Sequence, residues 1–220
     1  MTRTDSDRTL IEVGSKPRPD GIRVAGGICT LGALVLCAGG VATQIAQAST
    51  KVSDQLWRYP WTSHTAAIAW PLFGTMEMLV LVGVLGWWRS GAAGSGRAAR
   101  AGLPLTAIGT AAIVAGHFAS LAVRNESIDD TSAQLVGGIF AAGAVVSAVG
   151  LALAGWATLR AGVWSNSARF VPFSLAVVTA ALAGLGPTKA FPTAIAGYSL
   201  GFAALGIALM REGQARRHHK

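Results

Sequence analysis

Two side chains in this sequence are of a type that does acid–base chemistry inside a membrane, Glu77 and His117. Each lies within a long apolar run, where a charged group is costly unless it is neutral or paired. A carboxyl in that setting could serve as a proton carrier or cation site, and an imidazole beside it would suit a proton relay. The alternative is that Glu77 hydrogen-bonds a neighbouring helix for packing alone, with His117 as a structural hydrogen-bonding group.

The elements that position these two residues are six apolar segments, each near the roughly 20 residues that cross the hydrocarbon core. The predicted segments are 24–48, 66–88, 103–123, 135–159, 170–186 and 190–210. Short loops join them, so we expect an all-α polytopic bundle of six transmembrane helices. Counted from the same end of adjacent antiparallel helices, Glu77 and His117 differ in depth by about 5 Å at 1.5 Å per residue. Their side chains could close that gap.

Charge predicts the orientation of the bundle. Of the 18 Lys and Arg residues, all but Lys51, Arg58, Arg124 and Lys189 lie in the two tails and the loops on their side of the membrane. The positive-inside rule therefore predicts cytoplasmic termini in the plasma (inner) membrane. We expect a disordered cytoplasmic tail at 1–23, a transmembrane domain at 24–210 and a basic cytoplasmic tail at 211–220. The basic surfaces would favour anionic lipids at the cytoplasmic face.

The first segment has a second interpretation. A basic tail, an apolar run and then Ala46-Gln47-Ala48 resemble a secretory signal with a cleavage site after Ala48. The tail and the apolar run are both longer than is usual for such a signal, which favours an uncleaved first helix. Cleavage would instead leave five spans.

Small residues at four-residue spacing predict where helices pack, because close backbone approach is a main source of helix association in lipid. The predicted packing positions are Gly116, Ser120, Gly143, Ser147, Gly197 and Gly201. The same pattern would also suit a homo-oligomer or contact with another membrane protein.

The first outer loop is rich in aromatic residues around an arginine. Trp57, Arg58, Tyr59 and Trp61 could form an interaction surface for a ligand or an envelope partner. The same composition suits a segment that lies flat among the lipid headgroups, which is the interpretation we favour.

Several function classes find no support in the sequence. It has no phosphate-binding loop, no hydrolase or metalloprotease motif and no nucleic-acid-reading element. No Cys/His spacing suggests a metal site, and only His64 could pair with His117 as a haem ligand, so we expect no cofactor and no metal. Nucleic acid is not an expected partner.

The segments Leu56-Trp57-Arg58-Tyr59-Pro60 and Gly86-Trp87-Trp88-Arg89-Ser90-Gly91, within spans rich in Ala and Gly, resemble small multi-pass membrane proteins of high-GC actinobacteria. The resemblance implies a multi-pass membrane fold and no particular activity. We therefore expect a non-enzymatic membrane component, a scaffold, sensor or accessory subunit. The alternative is a proton-coupled carrier or channel that uses Glu77 with His117.

Overall fold

The structure, a computed structural model, describes residues 19–164, 167–185 and 188–218. Six α-helices follow one another along the chain: α1 (Pro19–Ser49), α2 (Ser63–Ser90), α3 (Arg97–Val123), α4 (Thr131–Ala161), α5 (Val171–Leu185) and α6 (Phe191–His218). A 3₁₀ turn at Ser167–Phe170 leads into α5. Within the described residues, extended pairing is limited to one isolated bridge between Leu56 and Ser127.

The predicted all-α fold of six apolar helices is confirmed for the described part of the chain. All six helices are long and apolar enough to cross a membrane, with the 3₁₀ turn counted as part of the fifth. Most helices extend beyond their predicted apolar segments because hydropathy detects the apolar centre of a helix and not its polar end turns. The Thr62 side chain caps α2 by accepting a hydrogen bond from the backbone nitrogen of Thr65. Gly91 ends that helix in the left-handed conformation at a φ of 71°.

The two predicted tails are affected by this extension. Helix α1 begins at Pro19, so residues 19–23 are helical, and residues 1–18 lie outside the described part of the chain. Helix α6 runs on to His218, so the basic stretch from Arg211 is a continuation of the last helix.

The helices form a closed ring in chain order. Each helix packs against its neighbours in sequence, and α6 closes the ring by packing extensively against α1. The α1–α6 and α3–α4 contacts are the most extensive, and α2 and α5 join these two pairs. Helices α2 and α6, which both pack against α1, make only limited contact with each other. The largest cluster of buried side chains draws on all six helices and lies inside this ring.

The two tight pairs depend on glycine. A Cβ atom on Gly26 of α1 would lie 2.5 Å from the carbonyl oxygen of Gly206 on α6. A Cβ on Gly102 of α3 would lie 2.5 Å from the backbone nitrogen of Ala154 on α4. Distances this short leave no room for any side chain, so the backbones approach as closely as they do only because these residues are glycine.

Candidate functional site

Glu77 lies where three helices meet. It belongs to α2, and only 1% of its surface is exposed. The hydroxyl of Tyr198 on α6 donates a hydrogen bond to its Oε1 at 2.6 Å. Cys29 on α1 lies nearby, with its Sγ against Gly83 of α2. Together Glu77, Tyr198 and Cys29 form a buried polar cluster in the α1–α2–α6 part of the core.

Close packing of α1 against α2 creates this cluster. A Cβ on Gly83 would overlap the side chain of Cys29, and a Cβ on Gly32 would lie 2.6 Å from the carbonyl oxygen of Met76. These two glycines therefore bring α1 against α2 at the level of Glu77 and in the turns of α2 that follow it. From α6, the ring of Tyr198 packs edge-on against that of Phe202 at 4.9 Å between centroids, which orients the Tyr198 hydroxyl.

The Cys29 thiol has its own partner. Its Sγ donates to the carbonyl oxygen of Phe202 on α6 at 3.5 Å. The other cysteine, Cys37, is half-buried, and both thiols are free. The polar cluster therefore joins α1 to α6 through the thiol and α2 to α6 through the carboxyl.

The Glu77–Tyr198 hydrogen bond acts between two helices that otherwise touch little. Because α2 and α6 lie on either side of α1, this bond is a direct link across one side of the ring. A hydrogen bond between membrane helices contributes on the order of 0.6–2 kcal/mol, and its loss leaves two buried polar groups without partners. The arrangement therefore suits a structural link that sets the register of α2 against α6.

His117 lies among aromatic rings and not beside Glu77. The ring centroid of His117 is 5.0 Å from that of Phe140, and 6.0 Å from each of the rings of Trp70 and Phe73. Its Nδ1 is buried and has no hydrogen-bond partner among the described residues, and the same is true of Trp70 Nε1. We call these four residues the His117 aromatic cluster.

The alternative pairing of Glu77 with His117 has no hydrogen bond to support it among the described residues. His117 packs beside Gly74, since a Cβ on that glycine would lie 3.2 Å from the His117 Cβ. This places His117 nearly one helical turn from Glu77 along α2. Each side chain has contacts at its own level, because Tyr198 binds the carboxyl and the aromatic rings surround the imidazole. Depth counted along the sequence could not show that the two side chains have different neighbours.

The partner of Glu77 was missed in the sequence. Tyr198 stands in Gly197-Tyr198-Ser199, in the apolar part of the sixth segment. A tyrosine inside a span needs a partner for its hydroxyl, since an unpaired polar group is costly there. That requirement was the available signal, although it does not say which helix supplies the acceptor.

Five of the six predicted packing residues contact another helix of the same chain, and the sixth, Ser120, is buried and bonds its own helix. Gly116 of α3 lies against the ring of Phe140 on α4, and the Ser120 hydroxyl donates to the Gly116 carbonyl at 2.9 Å. Gly143 and Ser147 of α4 lie against Gly109 of α3. On α6, a Cβ on Gly197 would lie 3.6 Å from Val178 and one on Gly201 would lie 2.5 Å from Leu175, both on α5.

The aromatic loop between α1 and α2 folds against the loop between α3 and α4. The backbone nitrogen of Trp57 donates to the carbonyl of Glu126 at 3.0 Å, and Arg58 Nη1 donates to Asn125 Oδ1 at 2.7 Å. The Trp57 ring packs against Val123, Ala133 and Val136. The two loops therefore form one cap over α3 and α4. Trp57, Arg58, Tyr59 and Trp61 are all half-buried.

The opposite end of the bundle carries a polar network absent from the sequence predictions. Glu212 of α6 accepts a hydrogen bond from Trp164 Nε1 at 2.8 Å and forms an ion pair with Arg216 at 2.6 Å. Arg216 also donates to the carbonyl of Ser90 at the end of α2 at 2.7 Å, and Arg217 pairs with Asp20 of α1. These bonds hold the last turns of α6 against α1, α2 and the loop after α4.

The described residues contain no group of three or more His, Cys, Asp or Glu side chains placed to hold a metal ion. No protein-family model matches this chain, and neither does any curated protein or solved structure.

Proposed function

We propose that this chain is a non-enzymatic component of the inner membrane, a helical scaffold or accessory subunit. The observation that carries the proposal is the closed environment of Glu77, the acidic residue at the centre of α2. Its carboxyl is bound to Tyr198 and lies in the core where α1, α2 and α6 meet. A buried carboxyl used in this way fastens helices together.

A proton carrier based on Glu77 is the competing function. A carrier must expose its carboxyl alternately to water on the two sides, so its acid lines a cavity or pairs with a second titratable group along a path. Glu77 is enclosed, and His117 packs among the rings of Trp70, Phe73 and Phe140. These two features favour the structural role.

Proton flux in proteoliposomes tests this proposal. Wild type and Glu77→Gln are reconstituted at matched protein level, with Ser199→Ala as a control for a buried α6 residue that bonds its own helix. We expect no flux above empty liposomes in any of the three. Flux that is present in wild type and Ser199→Ala but lost in Glu77→Gln would establish the carrier instead.

We infer that both termini are cytoplasmic. The end of the bundle that carries the termini also carries the arginines of the α2–α3 and α4–α5 loops, and this excess of positive charge supports the orientation. Reporter fusions after Met210 and labelling of a cysteine introduced at Asp129 test it. A C-terminal reporter active only outside the cytoplasm would contradict the inference.

Helix α1 is, in this proposal, part of the mature protein. Its packing against both α6 and α2 supports this, because removal of α1 would expose buried faces of two other helices. Mass measurement of the purified protein distinguishes the full chain from one that begins at Ser49.

A further inference from the structure

Two arginines at the α4–α5 junction each lie over an aromatic ring. The Arg160 guanidinium carbon is 4.7 Å from the centroid of the Trp156 ring, and that of Arg169 is 4.8 Å from the centroid of the Phe170 ring. Arg160 is in the last turn of α4, and Arg169 is in the 3₁₀ turn before α5. Stacking holds each guanidinium in place while leaving its N–H donors free to bind an anion.

The backbones of Arg160 and Arg169 lie at similar levels of the bundle. Helices α4 and α5 approach each other where a Cβ on Gly155 would lie 2.7 Å from the backbone nitrogen of Phe173. Arg160 is five residues beyond this contact on one element, and Arg169 is four residues before it on the other. Because the elements are antiparallel, both residues lie about 6–8 Å beyond the contact toward the same end of the bundle.

Three aromatic rings at the α4–α5 junction face outward. Trp156, Phe170 and Phe173 are 48%, 49% and 41% exposed, respectively, although all three are large and aromatic. On a membrane protein such a surface meets lipid at the boundary of the hydrocarbon and the headgroups, where aromatic residues concentrate. Arg160 and Arg169, which lie over Trp156 and Phe170, would therefore be close to the lipid phosphates.

Neither arginine has an acidic partner in the described part of the chain. The described acids at this end of the bundle are Asp20 and Glu212, and they pair with Arg217 and Arg216. The positive charge of Arg160 and Arg169 therefore lacks a counter-charge from the described residues. An anion from outside the chain would supply it.

We propose that Arg160 and Arg169 form a binding site for the phosphate of an anionic phospholipid, whose acyl chains lie against Trp156, Phe170 and Phe173. The guanidiniums supply paired donors that match phosphate oxygens, and the exposed rings supply the apolar contact that a free phosphate does not need. The site is independent of the role of Glu77.

Lipid binding to the purified full chain tests this site. The protein in an uncharged detergent is titrated with phosphatidylglycerol or with phosphatidylcholine of the same chain length, and bound lipid is counted by native mass spectrometry. We expect tighter binding of phosphatidylglycerol to wild type. Each arginine should account for about a fivefold change in affinity, and Arg160→Ala/Arg169→Ala together for about 25-fold, since one basic residue near an anionic surface contributes about 1 kcal/mol.

The matched control is Arg97→Ala/Arg100→Ala, which removes the same charge from two exposed arginines at the start of α3. An equal loss in both double variants, or no loss in Arg160→Ala/Arg169→Ala, would overturn the site. Arg160→Lys/Arg169→Lys keeps the charge, and we expect it to bind more weakly than wild type but better than the alanine pair. Glycerol phosphate at millimolar concentration should not displace the lipid, and displacement would overturn the assignment to a lipid.

Discussion

The hydrogen bond between Glu77 and Tyr198 can be measured by a double-mutant cycle. Tyr198→Phe removes the donor and leaves a carboxyl that is 1% exposed without its partner, while Glu77→Met removes the acceptor at similar side-chain length. A buried polar group left unpaired costs about 1–3 kcal/mol, so each single variant should be destabilised by that amount. The double variant has no unpaired group, and we expect it to be more stable than the sum of the single effects predicts.

The coupling energy should be about 1–2 kcal/mol, because interhelical hydrogen bonds in membrane proteins reach about 1.7 kcal/mol in such cycles. The free energy of unfolding is measured for all four proteins in the same detergent, and helix content is checked by circular dichroism. Ser199→Ala combined with Glu77→Met is the control cycle, since the Ser199 hydroxyl donates to Ile195 within α6 at 2.8 Å. Additive effects of Tyr198→Phe and Glu77→Met, within about 0.5 kcal/mol, would refute the structural link.

Two further predictions concern helix packing and the polar network around Glu212. Gly102→Val should lower the free energy of unfolding by about 1–3 kcal/mol or more, since a Cβ would lie 2.5 Å from the Ala154 nitrogen. The control, Gly138→Val, should have little effect on the free energy of unfolding, because no atom lies within 4 Å of its Cβ position. Glu212→Ala should raise the hydrogen-exchange rates of the last turn of α6, because Arg216 and Trp164 lose their shared partner, and the exposed Arg211→Ala should leave those rates unchanged. Similar unfolding free energies for the two valine variants, or similar exchange for the two alanine variants, would contradict these accounts.

The sequence by itself determined the number and type of the helices. Hydrocarbon admits only backbones that satisfy their own hydrogen bonds, so a run of about 20 apolar residues has few alternatives to a helix. The segment 66–88, for example, became α2 at Ser63–Ser90. The same argument singled out Glu77, because a carboxyl in hydrocarbon requires a partner whatever the helices do.

Only the tertiary structure decided what that partner is. Depth along a helix can be counted from the sequence, and by depth His117 was a reasonable partner for Glu77. The direction that each side chain faces depends on which helices are adjacent, and the closure of the ring by α6 against α1 places Tyr198 at the carboxyl. Close approach through Gly26 and Gly206 makes that closure possible, and such contacts between residues far apart in the chain leave no local pattern for sequence analysis to detect.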